Sequence, residues 1–263
     1  MEFAFAPSPS LEVVVSRYDA TLFPKFRIIF ESPSTDNPLR FLAKSPEEAS
    51  RAVVMENRAD KDITALRYYW MMKSEDGNVR KHTVSSDSYM VDVYHPVLRA
   101  GDRKMICHST TVDESLIEHV LRGGGFMGGW CGRDGENPLA GVTALRLEID
   151  MLLFADGEIA GQDSDKFTRD LRSRKPAAEF VAKQIRRARD EGRDAEPVLS
   201  ALAAIPSFGR PGHAQGDPLV HWIRYYARDY LRHANQRTTG VDWAEARLRH
   251  VENRPMLPKF YRR

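Results

Sequence analysis

In the first half of the chain, hydrophobic residues recur at every second position. "LEVVVSRY" (11–18) and "FRIIFES" (26–32) are short, β-branched or aromatic, and bounded by Pro, Ser and Asp, which predicts two strands. "RAVVMENR" (51–58) predicts a third. In "DKDITALRYYWMM" (60–72), Leu66, Tyr68, Trp70 and Met72 fall on one face, and Ile63, Ala65, Arg67 and Tyr69 on the other. The Asp-Gly of "EDGNVRKHTV" (75–84) predicts a hairpin turn into the next strand. Further strands are expected in "SYMVDVYHP" (88–96), over 103–110, and in the run from Thr143. There Leu145, Leu147, Ile149, Met151 and Leu153 share a face opposite Arg146, Glu148 and Asp150.

One helix interrupts the strands. In "TVDESLIEHVLRGG", Thr111 and Glu114 have capping-box spacing and Leu116, Ile117, Val120 and Leu121 recur helically, predicting a helix over 113–122. The glycine-rich stretch 123–141 is expected to be a long loop.

From Asp163 the period lengthens to about 3.6. "KPAAEFVAKQIRRARDEG" (175–192) predicts a helix starting at Pro176, and "AEPVLSALAAIPSFG" (195–209) a second, stopping before Pro206. "DPLVHWIRYYARDYLRHANQ" (217–236) predicts the longest, with Leu219, Ile223, Tyr226 and Tyr230 inward. Asp242 and Glu245 cap a last one, which ends at Pro255. Strands first and helices second imply an α+β chain, with an antiparallel β-sandwich over 1–162 and a C-terminal α-helical subdomain over 163–263.

Composition fits a globular chain of 263 residues, 42% hydrophobic and 29% charged. The apolar runs fall far short of the roughly 20 residues that span a bilayer. "MEFAFAPSPS" lacks a basic start and an apolar core, so no leader is expected in the sequence as it stands. Cys107 and Cys131 make one bridge if the protein is exported and two thiols if it is cytosolic. The net charge of +2 hides a division: 21 basic and 12 acidic residues from Asp165 onward give +9 there and −7 before it. Such asymmetry marks separate structural units, and sometimes a polyanion partner.

"VVMENRADKDITALRYYW" (53–70) and "VLRAGDRKMI" (97–106) carry a resemblance. They resemble the B–C and E–F regions of immunoglobulin- or fibronectin-type domains, with Trp70 on the third strand. They are also similar to a pattern in uncharacterised exported bacterial proteins: a strand ending in Asn, a polar turn, then "ITAL" entering the next strand. The resemblance covers residues 10–155 and departs from the immunoglobulin pattern in having no cysteine before Trp70. It implies an immunoglobulin-like sandwich with a binding or scaffold role in a bacterial envelope or surface assembly.

No motif announces chemistry. Asp156, Asp163 and Asp165 lack the glycine and closing glutamate of a calcium loop; a hairpin turn at Asp156-Gly157 and a helix cap at Asp163 or Ser164 account for them. The glycines of 123–141 are followed by no Lys-Ser/Thr, which excludes a P-loop. Cys131 with His108 or His119 is the one candidate nucleophile–base set, for a hydrolase-like site near that loop. Arg224, Arg228 and Arg232 at helical spacing are candidates for phosphate contact, and Trp130 for ligand contact from the loop. No metal site and no cofactor are expected. The leading expectation is a non-enzymatic binding or structural module whose partner is a protein or a second copy, with nucleic acid a less favoured partner.

Overall fold

The computed structural model describes residues 1–31, 45–88, 96–108, 111–122, 139–206, 216–234, 245–246, 248–249, 253 and 257–262. It divides into two compact units. The first holds Met1–Asp87, Pro96–Gly161 and Tyr261–Arg263; the second holds Ser88–His95 and Gln162–Phe260.

In the first unit, β1 (Glu2–Phe5), β8 (Val142–Phe154), β4 (Ile63–Ser74) and β5 (Val79–Asp87) form one sheet in that order, with β9 (Ile159–Gly161) also on β8. A second sheet has the order β2 (Val13–Arg17), β3 (Val53–Asn57), β6 (Arg103–Ile106), β7 (Thr111–Asp113). All pairs are antiparallel except β1 with β8, a parallel pair from a segment where the hydrophobic pattern predicts no strand.

Strand alternation divides the core. Val53 and Met55 of β3 and Ile106 of β6 join Leu66, Tyr68, Trp70, Leu145 and Leu147 in one buried cluster that draws on both sheets. The intervening Val54, Met105 and Cys107 turn to a second cluster with Phe26, Ile29, Ile117 and Val120. Those last residues come from a 3-10 turn (Pro24–Phe26), α1 (Arg27–Phe30) and α3 (Glu114–Leu121). The second sheet is thus buried on both faces, which is why "AVVM" and "MIC" read as unbroken apolar runs.

Several expectations need correction. The expected strand at 26–32 is helical over Phe26–Phe30: Pro24 opens the turn, and Phe26 and Ile29 bury at helical spacing. A short helix, α2 (Pro46–Ala49), adds a second helical insertion among the early strands, opened by Ser45 in a capping box with Glu48. Asp113, not Thr111, caps α3, accepting from the Leu116 amide at 2.7 Å. The inward face of β8 changes partway. A register irregularity after Tyr68/Ile149 skips Asp150, so Leu152 and Phe154 join the shared cluster in place of Met151 and Leu153. Gly161 is tied to this bulge: its φ is +100°, and a Cβ there would lie 2.1 Å from the Asp150 carbonyl oxygen. The strand expected in "SYMVDVYHP" falls on residues 89–95, outside the described residues, as does most of the loop at 123–141.

The second unit contains α4 (Phe167–Asp190), α5 (Glu196–Ala204) and α6 (Pro218–Ala234). Ala177, Val181 and Ile185 of α4 pack with Leu199 of α5 and Trp222, Tyr226 and Tyr230 of α6. α4 begins nine residues before Pro176, which sits inside it. Phe167, Leu171, Arg174 and Ala178 bury a continuous face across the proline, so packing outweighs the lost N–H donor. On α6 the buried stripe is Trp222, Tyr226 and Tyr230, and Leu219 is exposed.

Candidate functional site

The acidic stretch after β8 resolves into structural roles. Asp156 forms the turn between β8 and β9. Its carboxylate takes the Glu158 amide at 2.9 Å, the Lys61 ammonium at 2.9 Å and the Tyr261 hydroxyl at 2.7 Å. Burial would raise this carboxyl, yet these donors hold it at about 2. The N-cap of α4 is Lys166, not Asp163 or Ser164; Asp163, three residues earlier, accepts from the Thr168 amide and hydroxyl of the first turn. Lys61 also pairs with Glu158, and Tyr261 joins the β9 edge by backbone hydrogen bonds to Gly157 and Ile159. The stretch is a turn, a brace for the first turn of α4 and a clasp for the C-terminal residues.

The other candidates scatter. Arg224 and Arg228 donate to the Ala203 carbonyl at the end of α5, at 3.3 and 3.1 Å, while Arg232 is exposed on the last turn of α6. His119 is exposed on α3, and Cys107 is buried. Cys131 and Trp130 lie outside the described residues. Among the described residues, no group of three or more His, Cys, Asp or Glu could hold a metal ion, and no helix is long and apolar enough to cross a membrane.

His108 has a different setting. It follows β6 at the next position on the same face as Ile106, so alternation turns it to the side shared by the two sheets while Cys107 turns away. Its ring lies 5.6 Å from that of Trp70 and 5.9 Å, edge-on, from that of His82. His82 is the cross-strand partner of Trp70 on β5, and Phe3 of β1 lies 6.3 Å from Trp70 on its other side. Arg17 at the end of β2 covers Phe3, 5.2 Å from the ring centre. The Val53–Ile106 pairing, extended one step along its face, sets Arg51 opposite His108. Arg51 and His82 both push the imidazole toward its neutral form.

Among the described residues, this niche contains buried nitrogens without protein partners: Trp70 Nε1, His108 Nε2 and Arg51 Nε. Trp70 is fully buried, whereas Phe3, His82 and His108 are half-buried and Arg17 exposed. Burial above all, with His82 and Arg51 adding to it and Glu48 opposing, pushes His108 down to about 4, so the ring is neutral at pH 7. An indole N–H can only donate, and leaving one unmet costs about 1–3 kcal/mol. Burying the ring, at about 150–250 Å² and 25 cal/mol/Å², contributes about 4–6 kcal/mol. The fold therefore tolerates the unmet donor, and an arriving acceptor recovers part of that cost.

The second unit solves the same problem internally. Trp222 Nε1 donates to Asp170 Oδ1 at 2.8 Å, and Arg174 donates to Asp170 Oδ2 at 3.0 Å. The Arg174 guanidinium lies 4.5 Å from the Trp222 ring centre, and His221 packs edge-on against that ring at 5.4 Å. His221 is pushed down by burial, against an upward pull from Asp170. Sequence reading missed both sets. The signal for the first was alternation carried past the strand ends, through 51-53-55 and 104-106-108; for the second it was Asp170 and Arg174 one helical turn apart.

No protein-family model, curated protein or solved structure matches the chain.

Proposed function

We propose that the chain is a non-enzymatic binding module, with an N-terminal immunoglobulin-like sandwich that takes its partner at the Trp70 niche. The observation that carries this is the fully buried Trp70 indole N–H, which has no protein acceptor among the described residues and stands among half-buried aromatic rings. Supporting the sandwich are two largely antiparallel sheets whose inward faces share one cluster of buried residues. The partner is a protein surface bearing a hydrogen-bond acceptor, on this chain's own copies or another chain, in a bacterial envelope or surface assembly. That context rests on the resemblance of residues 10–155.

The test follows the Trp70 indole proton by nuclear magnetic resonance, assigned through its loss in Trp70→Phe. Simple acceptors are added in turn: an acetylated amino-acid amide, a carboxylate and inorganic phosphate. A binding niche gives a saturable shift with at least one of them. An indole signal unmoved by all three ends this reading.

A further inference from the structure

We propose that the Trp70 niche binds a carboxylate, filling the place that Asp170 occupies in the matching set of the second unit. This deepens the binding reading above and rests on it.

The two sets share their parts. In the second unit an indole N–H, an arginine and an edge-on histidine surround the Asp170 carboxylate, which accepts from Trp222 at 2.8 Å and from Arg174 at 3.0 Å. In the first unit Trp70, Arg51 and His108 supply the same three side-chain types, and each has a buried nitrogen with no protein partner among the described residues. Among the described residues, the nearby acids are Glu47 and Glu48, and Glu48 acts on His108 through its charge. Glu48 accepts from the Ser45 amide at 3.1 Å, closing the cap of α2. Glu47 lies 4.0 Å from Arg51 with its side chain 88% exposed. Neither meets the indole.

The charge balance favours a monoanion. Arg51 and Arg17 are balanced by Glu47 and Glu48, and His108 carries no charge at pH 7, so the niche repays a phosphate dianion less than a carboxylate. A carboxylate offers two acceptor oxygens in one plane, which suits the Trp70 indole N–H and the Nε2–H tautomer of His108 on two rings whose centres lie 5.6 Å apart. Phe3, His82 and His108 at the rim are half-buried, so the carboxylate enters by displacing these side chains from above the buried nitrogens.

A carboxylate can arrive on a small acid or on the end of a peptide. The experiment titrates the full chain with benzoate, a short peptide with a free C-terminal carboxylate, the same peptide amidated, and inorganic phosphate. The readouts are the Trp70 indole resonance and calorimetric affinity. Benzoate, the free-acid peptide or both bind saturably, and the amidated peptide binds about tenfold more weakly or not at all. Benzoate alone identifies a small-acid site; the peptide alone identifies a chain terminus. Trp70→Phe and Arg51→Gln each weaken the carboxylate by about tenfold. Equal binding of the amidated and free-acid peptides overturns the carboxylate while leaving the binding module standing. Phosphate binding tighter than either carboxylate does the same. Unchanged affinity in Trp70→Phe places the site elsewhere and overturns the proposal. Silence from every probe means that water alone meets the indole, and both readings fall.

Discussion

Two tryptophans in this chain are buried to nearly the same degree and satisfied very differently. Trp222 is 6% exposed and gives its N–H to Asp170; Trp70 is fully buried and, among the described residues, gives its N–H to no protein group. The difference follows from the elements that carry them. On α4, Asp170 and Arg174 are four residues apart, so the helix itself sets carboxylate beside guanidinium, and α6 has only to deliver the indole. The Trp70 set is gathered from β1, β4, β5 and the chain just beyond the paired ends of β3 and β6. Strand alternation sends neighbours to opposite faces, so no adjacent residue can bring a carboxylate to the indole. A helix can complete a polar cluster locally, whereas a two-sheet core must recruit the last member from a distance.

The largest break in this comparison comes from Asp170→Ala. Asp170 and Arg174 are both buried, and removing one member of a buried ion pair costs about 3–5 kcal/mol. The denaturant midpoint, followed by the helical circular dichroism signal, should fall by a corresponding amount. A loss below about 1 kcal/mol would mean that the carboxylate does not organise this unit.

A sharper comparison replaces each indole with a ring that lacks the donor. Trp222→Phe and Trp70→Phe both shrink a buried side chain, so their cavity terms are similar. Trp222→Phe also loses a hydrogen bond to a charged group, about 1.5–3 kcal/mol, while Trp70→Phe removes an unmet donor that cost about 1–3 kcal/mol. Trp222→Phe should therefore be the more destabilising by about 2.5–6 kcal/mol in parallel denaturation curves. Equal losses would show that a hidden acceptor already serves Trp70.

Much of the frame was legible because period and punctuation agree with burial. β3, β4, β6, β8, α3 and α5 lie close to their expected spans, and the change from extended to helical chain falls near Gln162. The misses have local causes. "RIIF" looks like a strand by its β-branched residues, but Pro24 and the Phe26–Ile29 spacing select a helical turn. Pro176 looks like a helix start, but the packing of Phe167, Leu171 and Arg174 carries the helix through it. The bulge at Asp150 reverses the inward face of β8, a change that alternation alone does not encode. Trp70 and His108 were visible one at a time, as a core residue and a candidate base. Their meeting depends on which strand ends lie together in space, and a single sequence does not state that.

The smallest predicted effect separates the two histidines by pH. His108 falls from an unfolded value of 6.5 to about 4 in the fold. Between those values the unfolded chain binds a proton that the folded chain refuses, so stability declines as pH drops through this window and levels off below it. His108 is partly solvated, and after allowance for screening the loss is on the order of 1–2 kcal/mol. Asp156, held at about 2, acts below its free value of 3.8, so most of the window belongs to histidines. His221 is also lowered, but Asp170 pulls it back, so its share is smaller. Denaturant midpoints taken at several pH values between 7 and 4 should fall more steeply for the wild type than for His108→Asn. Identical slopes in the two proteins would show that the ring is hydrated rather than enclosed. A hydrated ring would leave the niche around Trp70 no drier than the surface, removing the contrast with the sealed Asp170 cluster.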